Sequence, residues 1–183
     1  MFDVDALISE CQSAVGEATP PTAVRAVLSS VLSDRSSVTA TLGREKAGIE
    51  ILYNAPDLTV LNVVWAPHMA IFPHDHRMWA VIGIYSGAED NQLYRRAAGG
   101  LVESGGRTLE EADVFALGTD AIHSVRNPLG RFTGAIHVYG GDFVAQPRSQ
   151  WDPVGLTEAP YDAAAVRAVF EEANAAWAAR MVN

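Results

Sequence analysis

Val4, Leu7, Ile8, Cys11 and Val15 fall at offsets of 0, 3, 4, 7 and 11, with Asp3 just ahead of them. That is one stripe of an α-helix with an N-cap residue in place. Cys11 lies on the stripe, so it is expected as a small buried hydrophobe. Pro20-Pro21 interrupts the pattern and suits a first helical turn. Val24, Val27, Leu28, Val31 and Leu32 then repeat at 0, 3, 4, 7 and 8, predicting a second amphipathic helix within residues 1–35. At the far end Asp162 can cap a helix over 160–181 whose apolar face is Val166, Val169, Phe170, Ala173, Trp177 and Met181.

Between 38 and 147 the texture changes to short β-rich runs: Ile49–Tyr53, Leu58–Trp65, Met78–Tyr85, Gln92–Arg95, Val114–Leu117 and Phe132–Tyr139. Turn material separates them, including Ser86-Gly87, Gly99-Gly100, Ser104-Gly105-Gly106 and Gly140-Gly141. Many short strands at this spacing predict an antiparallel sandwich or barrel, with the helices packed outside it. A chain of 183 residues is long enough for one domain and short for two, so a single domain over 1–183 is expected.

Charge narrows the function. The formal net charge is −9, and the only adjacent basic pair is Arg95-Arg96, so neither nucleic acid nor an anionic membrane surface is an expected partner. No apolar run approaches the roughly 18 residues of a membrane span, and the acidic start MFDVDALISE is unlike a secretory signal. A cytoplasmic protein is expected. With Cys11 as the one cysteine, any metal must sit on His and carboxylate ligands.

All five histidines fall in the β region: His68, His74, His76, His123 and His137. On a strand the His74-Asp75-His76 triplet sends both imidazoles to one face and Asp75 to the other. Alone, such a pair is commonplace. Here it opens a strand of an expected barrel, and His123 begins a later one, where a third ligand is needed. The stretch Arg77–Ile82 offers no acid, and Glu89, near the Ser86-Gly87 turn, is expected at the solvated surface. His74, His76 and His123 are therefore the expected metal ligands, a set of three neutral imidazoles. Such a set leaves the full charge on the ion and attracts anionic donors such as a thiolate or enolate. His137 and Tyr139 share one face of the last barrel strand. The spacing fits a His that orients a catalytic Tyr, and equally a structural pair filling the barrel. His68 is expected on a surface loop.

Trp65, His74-Asp75-His76, Ile122-His123-Ser-Val-Arg-Asn127 and Ile136-His137-Val-Tyr139 in this order resemble the cysteine dioxygenase family of thiol dioxygenases. The segment His74–Tyr85, HDHRMWAVIGIY, is similar to that of uncharacterised bacterial relatives. The likeness spans roughly residues 50 to 145. It implies an all-β cupin core, a double-stranded β-helix (jelly-roll barrel) with flanking N- and C-terminal α-helices. It further implies non-haem Fe(II) on His74, His76 and His123, where nickel, zinc or manganese could also sit. In that family a substrate thiolate is oxidised by O2 to a sulfinate, and a Ser-His-Tyr set lines the site. Its last two members correspond to His137 and Tyr139.

The departures are specific. Ala135 stands where that serine would be, Val81 is near the position of a cross-linking cysteine, and no arginine occurs near Ile51-Leu52 to clamp a substrate carboxylate. Met78, Trp79 and Tyr85 suggest a more apolar pocket. The expected function is a dioxygenase acting on a small thiol other than cysteine. The alternatives are another metal-dependent cupin enzyme that cleaves carbon–carbon bonds or isomerises, and a non-catalytic cupin that binds a metal or ligand. The small-molecule substrate and the oligomeric state are left open.

Overall fold

A computed structural model describes residues 1–181; residues 182–183 of the expected domain and C-terminal segment lie outside it. The chain opens with helices α1 (Val4–Val15) and α2 (Pro20–Val31). Asp3 caps α1 by accepting from the amides of Asp5 and Ala6 at 2.8 and 3.2 Å. A short 3-10 turn, Leu32–Asp34, leads into α3 (Arg35–Leu42), whose first turn Asp34 caps. Helix α3 occupies a stretch where the barrel was expected to begin. It offers only two buried positions, Val38 and Leu42, among hydroxyl-bearing residues, too little periodicity to read in advance.

Eleven strands follow: β1 (Gly48–Asn54), β2 (Thr59–Trp65), β3 (Ala70–Asp75), β4 (Ala80–Ser86), β5 (Ala88–Ala97), β6 (Gly100–Glu110), β7 (Val114–Leu117), β8 (Ile122–Arg126), β9 (Thr133–Tyr139), β10 (Ser149–Trp151) and β11 (Glu158–Pro160). They form two antiparallel sheets, β1-β2-β9-β4-β7 and β11-β10-β3-β8-β5-β6, the sandwich the strand pattern implied and the jelly roll the resemblance implied. Sequence reading placed a turn at Ser104-Gly105-Gly106. These residues instead run inside β6, paired with β5 across a register shift near Leu93, with Gly105 in a left-handed conformation at φ 135°. Two strands, β10 and β11, lie beyond the expected barrel end at 147 and extend the second sheet.

The long apolar runs of β2, β4 and β9 have a direct cause, since both faces of the first sheet are covered. On β9, Ala135 and Tyr139 point into the sandwich, while Ile136 and Val138 point out onto α1 and α2 beside Leu7, Cys11, Val24 and Leu28. Cys11 is fully buried there, and burial, reinforced by the Glu10 charge, pushes its thiol up to about 12. Tyr85 and Trp79 also face the helices rather than the sandwich interior, which corrects their expected place in a pocket wall. The Tyr85 ring lies over Gly134, and its hydroxyl donates to the Leu42 carbonyl at 3.2 Å and Asn62 Oδ1 at 2.9 Å. A methyl group on Gly134 would overlap this tethered ring. Gly134→Ala is expected to cost about 1–3 kcal/mol, read as a lower urea midpoint at unchanged slope.

Helix α4 (Ala163–Met181) does more than coat the outside. Val166 and Phe170 join the interior cluster, with Phe170 stacked on Trp65 at 5.5 Å between centroids. Asn174 fastens the helix to the start of β1 by bonds of 2.8 and 2.9 Å to the Ala47 backbone. Met181, expected on the apolar face, is 71% exposed. Among the described residues no helix is long and apolar enough to cross a membrane.

Candidate metal centre

Strands β3 and β8 run antiparallel with His74 directly opposite His123, and His76 follows two residues later, just past the end of β3. Strand parity turns Asp75 away from the pair, where it accepts from the Ser149 amide at 2.7 Å and meets Arg77 at 3.1 Å. Arg77, with φ 54°, leaves the site for this surface ion-pair network. His68 is exposed, also as expected.

The three buried imidazoles offer ring nitrogens that all lie within 4.8 Å of one another. Two are held by outer partners. His74 Nδ1 is 3.0 Å from the Phe72 carbonyl and His123 Nδ1 is 2.7 Å from Asn91 Oδ1. A proton on each Nδ1 leaves each Nε2 lone pair free. His123 Nε2 is buried with no protein partner, which is the condition a metal cation satisfies. The donor set therefore fits a divalent ion.

Burial depresses the His74 pKa to about 4, and those of His76 and His123 fall well below 6.5, with neighbouring imidazoles adding to the effect of burial. An unfolded chain takes up these protons near pH 6.5, so below that it binds more protons than the folded metal-free protein. Stability is therefore level above about pH 7 and falls as pH drops from 6.5 toward 4, by up to ~1.4 kcal/mol per pH unit for each histidine. Urea titrations of metal-free protein at stepped pH check this; a midpoint unchanged between about pH 7 and 5 would contradict it.

Across the sandwich, β9 presents His137 and Tyr139, with the Tyr139 hydroxyl 3.1 Å from His137 Nδ1. The Tyr139 ring meets the His76 ring edge-on at 4.9 Å. Burial raises the Tyr139 pKa, against an opposing effect of the Arg148 charge, so the phenol is neutral.

Two residues here were not anticipated in their roles. Glu89, expected in solvent, is fully buried on β5, where it accepts from Trp65 Nε1 at 2.8 Å and Asn91 Nδ2 at 2.9 Å. The strand begins at Ala88 rather than at Gln92, so Glu89 and Asn91 alternate inward behind the imidazoles. Burial works to raise its pKa, yet the neighbouring His137, with bonds from Asn91 and Trp65, holds it below the usual carboxylate range.

The second is Arg148, from the segment between β9 and β10. Its guanidinium packs 4.0 Å from the Phe143 ring and 3.9 Å from the Tyr161 ring, with a buried Nε that has no partner. Its charge also lowers the pKa values of His74 and His76. Sequence reasoning sought a cation near Ile51, which is 53% exposed on β1. Between the two sheets lies a cavity of about 30 Å³, bordered by His74, His123, His137 and Tyr139 and otherwise by apolar groups such as Trp65 and Phe170.

No family model matches the sequence. Among solved structures, a Bacillus halodurans protein aligns with a TM-score of 0.50 at 15% identity, over 57% of this chain and 77% of that one. A cupin of the RmlC-like family with a double-stranded β-helix fold, from Methanocaldococcus jannaschii, aligns at 0.48 and 11%, over 56% and 86%. The DMSP lyase of Ruegeria pomeroyi aligns at 0.47 and 16%, over 60% and 53%. At these identities the likeness is one of fold alone, a jelly-roll sandwich of two antiparallel sheets with flanking helices.

Proposed function

We propose that this chain is a metal-dependent dioxygenase that oxidises a small thiol bearing a carboxylate to its sulfinate. The observation that carries this reading is a neutral three-histidine cluster with, among the described residues, no acidic member, and with the Arg148 charge near enough to act on His74 and His76. His74, His76 and His123 would hold the metal, with Fe(II) the ion suited to the reaction. Ferrous iron, when bound there, would bring a thiolate sulfur and O2 together, a proximity effect. Both atoms of O2 end on sulfur, and the thiol proton is released.

The chain's own residues do the rest. Arg148 pairs with the substrate carboxylate by charge-assisted hydrogen bonds, from a frame of two aromatic rings. Trp65, Phe170 and their apolar neighbours keep water from the reacting groups. Tyr139, oriented by His137, borders the cavity from the first sheet and is the catalytic residue of this reading. Tyr139→Phe should leave metal content unchanged and lower kcat about 100-fold, measured by oxygen uptake.

The decisive experiment supplies iron-loaded protein with thiol carboxylates under isotopically labelled O2. A sulfinate carrying two labelled oxygens supports the proposal. Absence of oxygen uptake with every thiol tested would end it, and uptake with a diketone instead would reassign the chain to carbon–carbon cleavage.

A further inference from the structure

A fully buried carboxylate restricts its neighbours, because an ionised one can only accept hydrogen bonds. Among the described residues no Lys or Arg pairs with Glu89. Its Oε1 takes an N–H from Asn91 Nδ2. That fixes the Asn91 amide with its oxygen turned to His123 Nδ1 at 2.7 Å, where it can only accept. The proton must then sit on His123 Nδ1, and Nε2 keeps the bare lone pair that a metal needs.

The other oxygen, Oε2, accepts from Trp65 and stands 3.6 Å from His137 Nε2, just beyond hydrogen-bond length. That buried nitrogen has no other partner. A lone pair there would face carboxylate lone pairs, whereas an N–H is attracted. With the proton on Nε2 of a neutral ring, His137 Nδ1 is an acceptor, and the group beside it is the Tyr139 hydroxyl at 3.1 Å. Tyr139 then spends its proton on His137, and its oxygen keeps lone pairs toward the cavity.

We propose that Glu89 is a positioning residue that sets the tautomers of two histidines, His123 through Asn91 and His137 directly, and so leaves the Tyr139 oxygen as a hydrogen-bond acceptor. The group that faces Tyr139 must accordingly bring its own proton, as a thiol, hydroxyl or ammonium does. This goes beyond the dioxygenase reading and holds whatever reaction the centre performs.

Zinc, which is diamagnetic and redox-inert, provides the probe. Long-range proton–nitrogen correlation spectra of zinc-loaded protein near pH 7.5 should show His123 protonated on Nδ1 and His137 neutral and protonated on Nε2. In Glu89→Gln the amide brings one donor and one acceptor where two acceptors stood. At least one of the two rings should change tautomer, and zinc affinity, read by chelator competition, should fall roughly 10- to 100-fold. Adding Asn91→Asp restores an acceptor to both the new amide and His123, and should recover both tautomers and the affinity. In Tyr139→Phe, His137 should remain the Nε2–H form, because Glu89 holds it.

A wild-type His137 protonated on Nδ1, or doubly protonated, would overturn the inference. So would Glu89→Gln with both tautomers and the affinity unchanged. Should Glu89→Gln fail to fold, the wild-type and Tyr139→Phe spectra decide. None of these readouts depends on oxygen uptake, so failure here is distinct from failure of the proposed reaction.

Discussion

His123→Ala is expected to yield a folded protein that retains no stoichiometric metal after dialysis. Two imidazoles from one short stretch cannot enclose an ion, and His123 is the only ligand delivered by β8. Loss of a direct ligand should exceed the effect of losing an outer partner, so affinity should drop by more than about 100-fold. The fold should survive because His123, though fully buried, belongs to neither of the two large apolar clusters. The substitution does strip Asn91 Oδ1 of its donor, at a cost of about 1–3 kcal/mol. Metal analysis beside a far-ultraviolet dichroism spectrum separates the two effects. Full metal content in a folded His123→Ala protein would remove the three-histidine centre from consideration.

Arg148→Met should reduce kcat/KM for thiol carboxylates by about 100-fold, the size expected when a charge-assisted hydrogen bond of roughly 1.5–3 kcal/mol is lost. Methionine can still fill the space between Phe143 and Tyr161. The loss should fall mainly in KM if the carboxylate is held equally in ground and transition states. A thiol of the same length without a carboxylate should lose little. Equal losses for both substrates would mean that Arg148 serves the packing of its two rings rather than the substrate.

Much of this architecture was legible in the chain because it follows from period and parity. The stripe through Leu7 and Cys11 is buried, Pro20 opens α2, and β2, β4 and β9 stand where the apolar runs put them. His74 and His76 do project together, and His123 does arrive opposite, since antiparallel pairing places it there. The residues that escaped did so for physical reasons. Glu89 looked solvated because an acid beside a Ser-Gly turn usually is, and only the early start of β5 turns it inward. Nothing local marks its bond to Trp65, 24 residues away in sequence. Arg148 was invisible because its place depends on how the chain returns over the sandwich after β9, a tertiary matter. The Ser104-Gly105-Gly106 stretch misled in the opposite direction, since a bulged strand uses the same residues as a turn.

The small size of the interior cavity bears on how a reactant arrives. A space of about 30 Å³ admits water but is small for a reactant of several heavy atoms. Admission therefore demands that part of the wall yield, and Phe143 and Tyr161 line it, only partly buried against the core, with the Arg148 guanidinium against both rings. Arg148 also donates to the Phe143 carbonyl, so a carboxylate that engages the guanidinium would act on the very rings that close the space, and charge as well as bulk should decide entry.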